Sequence, residues 1–112
     1  MALINSILQG TTPTLTVSID SSDLSLSDVV QLELTFKQFN QNPIIHYIAD
    51  CTLDLDANTV SYHFTEAETL AFDPTTPLLY QLRFGTNDGE IVGTNAMQVN
   101  VTDLMSGVVL PE

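Results

Sequence analysis

Asp54, Asp56 and Asn58 fall at alternate positions in Asp54-Leu55-Asp56-Ala57-Asn58, the spacing at which the first half of a calcium loop presents oxygen ligands. Such a loop also needs a glycine next and a bidentate acid at its twelfth position, where Thr59 and Thr65 stand. Asp and Asn are equally the residues of tight turns, because their side chains bond the backbone close by, so the segment reads as a turn. His46 and His63 are nitrogen donors, but zinc needs three or four converging ligands, and Cys51 lies at no motif spacing from either. Both histidines read as polar-face residues. Serine hydrolysis requires a strained G-x-S-x-G elbow, which the chain lacks; Ser106-Gly107 lies in its tail. Carboxylate pairs suited to glycoside hydrolysis arise by accident among fourteen acids. The chain therefore reads as no enzyme, with no catalytic residue, no cofactor and no metal.

The elements that would carry these groups are strands. At 112 residues, 44% apolar and 14% charged, the chain suits one folded domain with one core. Leu15, Val17 and Ile19 alternate with Thr14, Thr16 and Ser18, and Leu24 and Leu26 point inward from the polar connection Asp23 to Asp28. Val30, Leu32, Leu34 and Phe36 alternate with Gln31, Glu33, Thr35 and Lys37. Ile44 to Ala49 is a strand of ambiguous facing, with either Ile44, His46 and Ile48 or Ile45 and Tyr47 inward. A short segment, Cys51 to Leu55, precedes the turn, and Val60, Tyr62 and Phe64 follow it. Thr65 with Glu68 forms a capping box, so Thr65 to Phe72 is a helical turn ended by Pro74. Tyr80, Leu82 and Phe84 lead into the reversal Thr86-Asn87-Asp88-Gly89, and the return strand runs from Ile91 to Val101. The apolar phase slips between Ile91 and Met97, which places a bulge at Gly93 or Asn95. These runs predict an all-β, antiparallel, immunoglobulin-like sandwich of about seven strands with one short helical turn.

Fourteen acids against Lys37 and Arg83 give a net charge of −12. That balance excludes nucleic acid as a partner and disfavours anionic membranes, while it suits solubility or a basic partner. Lys37 and Arg83 fall on outward strand positions and read as partners of nearby carboxylates. The lone Cys51 permits no intrachain disulfide and leans towards a reducing compartment. The apolar start has no basic n-region and makes a poor signal peptide, and no run reaches the length of a membrane-spanning helix. Asn100-Val101-Thr102 matches a glycosylation sequon by chance, inside a strand.

Residues 1–112 read as a single domain with 1–10 and 104–112 as apolar terminal arms. Leu3, Ile4, Ile7 and Leu8 in the first, and Leu104, Met105, Val108, Val109 and Leu110 in the second, either cap an open end of the sandwich or dock on a neighbour. They are the expected protein-interface residues.

The string Gln9-Gly10-Thr11-Thr12-Pro13-Thr14 ahead of the first strand resembles the opening of small proteins encoded among tail genes of phages and prophages of Gram-positive bacteria. The likeness continues through Thr35-Phe36-Lys37-Gln38, Asn58-Thr59-Val60-Ser61, the run Thr65 to Phe72, Gln81 and Arg83, Gly89, and the closing Val99 to Leu104. It implies an immunoglobulin-like virion structural protein of the tail or baseplate, similar to the virion-anchoring domain of some baseplate proteins and assembled in the host cytoplasm. Its partners would be protein, either further copies in a homo-oligomer or other tail subunits. The competing expectation is a recognition or adhesion module that binds carbohydrate or a host surface protein through its end loops. The lack of tryptophan tells mildly against a sugar-stacking platform.

Overall fold

The computed structural model describes residues 6–20, 22–39 and 41–106. The strands are β1 (Ser6–Leu8), β2 (Thr14–Ser18), β3 (Val29–Lys37), β4 (Ile44–Tyr47), β5 (Thr52–Asp54), β6 (Thr59–His63), β7 (Leu78–Thr86), β8 (Ile91–Gly93) and β9 (Met97–Thr102), with helix α1 (Glu66–Ala71) between β6 and β7. They form a six-stranded sheet ordered β1-β9-β7-β3-β4, with β8 also on β7, and a three-stranded sheet ordered β2-β6-β5. From β1 to β9 the chain passes between the sheets four times, and α1 carries the last of these passages, from β6 to β7. This is the immunoglobulin-like sandwich.

Among the described residues nine strands stand where about seven were expected, for two physical reasons. A bulge divides the return strand into β8 and β9: Arg83 pairs with Gly93 and Tyr80 with Met97, so one extra residue sits on the β8–β9 side. Thr94 fills the gap, accepting from the Leu82 N–H through its hydroxyl at 3.1 Å and donating its own N–H to the Leu82 carbonyl at 2.9 Å. The other addition is β1, which pairs with β9 in parallel, Ile7 opposite Val101. The N-terminal segment read as an arm thus enters the sheet at Ser6, and this one pairing departs from an all-antiparallel sandwich.

Inward side chains of both sheets make the core. Leu15 and Val17 of β2, with Val60 and Tyr62 of β6, meet Leu32, Leu34 and Phe36 of β3 and Leu82 and Phe84 of β7. Phe36 lies at its centre, with ring centroids 5.1 Å from Phe64 and 5.7 Å from Tyr62. Of Val30, Leu32, Leu34 and Phe36, all expected inward, Val30 alone is turned out, 57% exposed. Val29 pairs with Thr86 and Gln31 with Gly85, so Val30 is the extra residue of a second bulge, which reverses the phase there.

Three buried amides tie the loops to this core. Gln9 donates to the carbonyls of Phe72 (2.6 Å) and Leu70 (3.3 Å) and accepts from the Leu104 N–H at 3.0 Å. Gln38 donates to the Asp73 carbonyl and accepts from the Asp73 N–H at 2.8 and 2.9 Å. Asn58 donates to the carbonyls of Ile19 and Leu24 and accepts from the Leu26 N–H, at 2.8, 2.9 and 2.9 Å. All three belong to the strings that carried the family resemblance. Gln9 also joins the opening string to α1, and the Thr69 hydroxyl donates to the Thr11 carbonyl at 2.7 Å. Those strings are framework: they close the sandwich at one end and pin its long connection at the other.

Candidate interaction surfaces

The chain-end side is built on Gln9 and Gly10. Gly10 has φ +75, the left-handed region open to glycine, and a Cβ there would lie 2.7 Å from Leu104 Cδ2. Leu104 is accordingly half-buried over the turn, while Leu8 is 42% exposed and Met105 fully exposed. Ile7 is completely buried, a core residue with nothing to offer a partner. Of the expected interface residues, Leu8, Leu104 and Met105 thus lie at one end of the sandwich, and Leu3, Ile4, Val108, Val109 and Leu110 lie outside the described residues.

The outer face of the six-stranded sheet is a second surface. Its cross-strand rows are Tyr47–Glu33–Arg83–Gly93, Ile45–Thr35–Gln81, and Gln31–Gly85–Ile91. Glu33 and Arg83 pair at 3.0 Å, as expected of Arg83. Lys37 was expected to meet a carboxylate but instead donates to the Gln41 carbonyl, because the chain turns back beside it after β3. Among the described residues the face therefore holds both basic residues and a single carboxylate, with amides, hydroxyls and the exposed apolar Ile45, Tyr47, Leu79 and Ile91.

Near the β7–β8 hairpin this face sinks into a groove of about 410 Å³, lined by Val30, Gln31, Tyr47, Ile48, Gly85 and Ile91 with the Glu33–Arg83 pair. Gly85 forms its floor: the Gln31 side chain lies across it, with Oε1 2.8 Å from where a Cβ would stand. The sequence did not single out this groove. Its components come from four strands, and Val30 reached it only through the bulge.

The loops at this end gather negative charge. The β2–β3 connection carries Asp20, Asp23 and Asp28, the β5–β6 turn Asp54 and Asp56, and the hairpin Asp88 and Glu90, half of the fourteen acids. The Asn87 N–H donates to the Asp28 carbonyl at 2.9 Å, which holds hairpin and connection together. Between them lies a cleft of about 270 Å³ lined by Asp23, Asp28, Asp88 and Glu90. Hydrogen bonds from the Thr86 hydroxyl and the Glu90 N–H hold the Asp88 carboxyl below its usual range, and Ser22 does the same for Asp20.

The residues screened for chemistry have structural surroundings. Asp54 accepts from the N–H groups of Asp56 and Ala57 at 3.1 Å each, making the predicted turn, and Asn58 faces inward with φ 55. His63 is exposed and bonds the Thr14 hydroxyl at 2.9 Å. Burial, then the charge of Asp50, pushes the Cys51 thiol up to about 11, so it stays protonated and weakly nucleophilic near neutrality. Among the described residues no group of three or more His, Cys, Asp and Glu is placed to hold a metal ion.

His46 resolves the facing of β4. It turns inward and stacks on Tyr62 at 4.3 Å, and its Nε2 lies 3.1 Å from Glu68 Oε2. Glu68 also accepts from the Tyr62 hydroxyl at 2.7 Å and, closing the predicted capping box, from the Thr65 N–H at 2.9 Å. Burial is the largest single influence on this carboxyl and pushes it up. The donors Thr65 and Tyr62, with His46, together outweigh burial and leave it below the usual glutamate range. A carboxylate depressed in the folded state stabilises the fold above its unfolded range, and that contribution disappears as pH falls through the folded value. The melting-temperature gap between the chain and Glu68→Gln should therefore be widest near neutrality and narrow below the ordinary value of 4.5. Melts followed by circular dichroism across this range check it; a gap that widens in acid contradicts it.

A comparison with models of known protein families and with curated proteins finds no match to this chain.

Proposed function

We propose that this chain is a non-enzymatic structural subunit of a phage tail or baseplate, working in the virion through protein–protein contacts. The observation that carries this reading is the outer face of the six-stranded sheet: nearly neutral and part-apolar, on a chain of net charge −12. Charge spread at random would put several carboxylates there, and a surface that carries Glu33 alone, paired with Arg83, while exposing Tyr47 and Ile91 suits another protein. The motif resemblance to tail-encoded proteins supplies the setting. Further copies of the chain engage the opposite end, at Leu8, Leu104 and Met105, to form a homo-oligomer. The cleft between the β2–β3 connection and the hairpin favours a second reading, in which those loops recognise a host surface molecule.

The test is the composition of tail particles purified from a lysed culture that carries the gene. Quantitative mass spectrometry should find the chain at a fixed ratio to the other tail proteins. Its absence from particles that are otherwise complete would overturn the proposal.

A further inference from the structure

We propose that the groove under the β7–β8 hairpin, together with the adjoining acidic cleft, takes a basic segment of a different protein: an aromatic or aliphatic side chain in the groove and a Lys or Arg beside it on the loop carboxylates. This rests on reading the chain as a protein-contact subunit, and it names the partner's chemistry.

Apolarity and charge are arranged as such an occupant requires. The groove exposes Tyr47 (57%), Val30 (57%) and Ile91 (64%) around a glycine floor. An apolar side chain placed there displaces water from all three, which is how a small interface gains an anchor. The groove's own charges cancel, since Arg83 is held by Glu33 at 3.0 Å. The uncompensated field is that of the adjoining loops, because Ile91 follows Glu90 directly and Val30 stands two residues after Asp28. A partner leaving the groove over the hairpin therefore meets carboxylates and no cation.

This pattern discriminates between occupants. A second copy brings −12 of like charge and only Lys37 and Arg83, with Arg83 already engaged. An acidic ligand finds no free cation among the groove's lining residues. A basic protein segment matches both the floor and the rim, and its encounter with the loops is steered by charge.

The full chain is tested by fluorescence anisotropy with a labelled peptide of about twelve residues, Trp-Leu at its centre and two Lys on each side. One control peptide has Glu for Lys, and the other Ser for Trp and Leu. The basic apolar peptide should bind at least about tenfold more tightly than either control. Raising salt from about 50 to about 300 mM should weaken it severalfold. Tyr47→Ser with Ile91→Ser, both exposed and so neutral for folding, should cost about tenfold or more. Asp28→Asn with Glu90→Gln should cost about threefold and flatten the salt dependence. Gly85→Ala would push the Gln31 side chain off the floor and into the groove, because its Cβ would stand 2.8 Å from Gln31 Oε1, and should also weaken binding.

Equal binding of the Glu peptide, no binding of the basic peptide up to about 1 mM, or indifference to the groove substitutions would overturn the proposal. So would an oligomer of the chain that the groove substitutions dissociate, which would identify the occupant as a second copy. Failure here leaves chain-end assembly, read through Leu8 and Met105, intact; failure of that assembly leaves peptide binding at the groove intact.

Discussion

Replacing Asn58 with alanine is expected to remove about 3–5 kcal/mol of stability, a large share of the roughly 5–15 kcal/mol that holds a domain folded. The side chain satisfies three backbone groups on the connection between β2 and β3, at Ile19, Leu24 and Leu26. Leu24 and Leu26 are core residues, so without the amide their polar backbone atoms are left in an apolar setting. Each such orphan costs about 1–3 kcal/mol, and water entering the space recovers part of it. Asn58 also holds φ 55, where alanine is strained by about 1–2 kcal/mol. Glycine separates the two effects: Asn58→Gly relieves the backbone and should recover only about 1 kcal/mol of the loss. Urea unfolding with an unchanged slope measures both. An alanine variant within about 1 kcal/mol of the parent would show that this connection does not depend on its amide.

Phe36→Ala should cost a similar amount, about 3–5 kcal/mol, through lost burial and the cavity left behind. Phe36 is 1% exposed and is packed by rings from both sheets and the crossing: Tyr62, Phe64, Tyr80 and His46. Removing it leaves Phe64 and Tyr62 without their common neighbour, so the near-ultraviolet dichroism of the tyrosines should fall along with the unfolding midpoint. Phe36→Leu refills part of the space and should lose only about 1–2 kcal/mol. A loss below about 2 kcal/mol for the alanine variant would mean that the core closes around the gap, contrary to the dense packing seen here.

Both residues lie in strings that the sequence marks, yet only one could be understood there. Phe36 was legible because it keeps phase with Leu32 and Leu34 along a strand with one wet and one dry face. Asn58 was not, since an asparagine after Asp54 and Asp56 fits an exposed turn equally well, and its partners lie more than thirty residues away. Gln9 and Gln38 were hidden for the same reason: a buried amide has the composition of a loop. Alternation failed at Val30, where one extra residue reversed the phase, but its slip between Ile91 and Met97 did reveal the other bulge. β1 is only three residues long and shows no period, so Ile7 looked like part of an arm although it fills the core. The groove was beyond sequence reasoning because Gly85, Tyr47 and Ile91 become neighbours only through strand register.

Assembly through the chain ends is tested most directly by sedimentation velocity on the full chain and on Leu8→Ser with Met105→Ser. Both substituted residues are exposed, so thermal stability should be shared and any difference belongs to contacts between molecules. At tens of micromolar, the full chain is expected to sediment as an oligomer, more completely at about 150 mM than at about 20 mM salt, because screening relieves the repulsion between acidic copies. The doubly substituted chain should sediment as a monomer in both. If the full chain is monomeric throughout, or if the substituted chain assembles equally well, the chain ends are not the contact and a self-assembling subunit is contradicted.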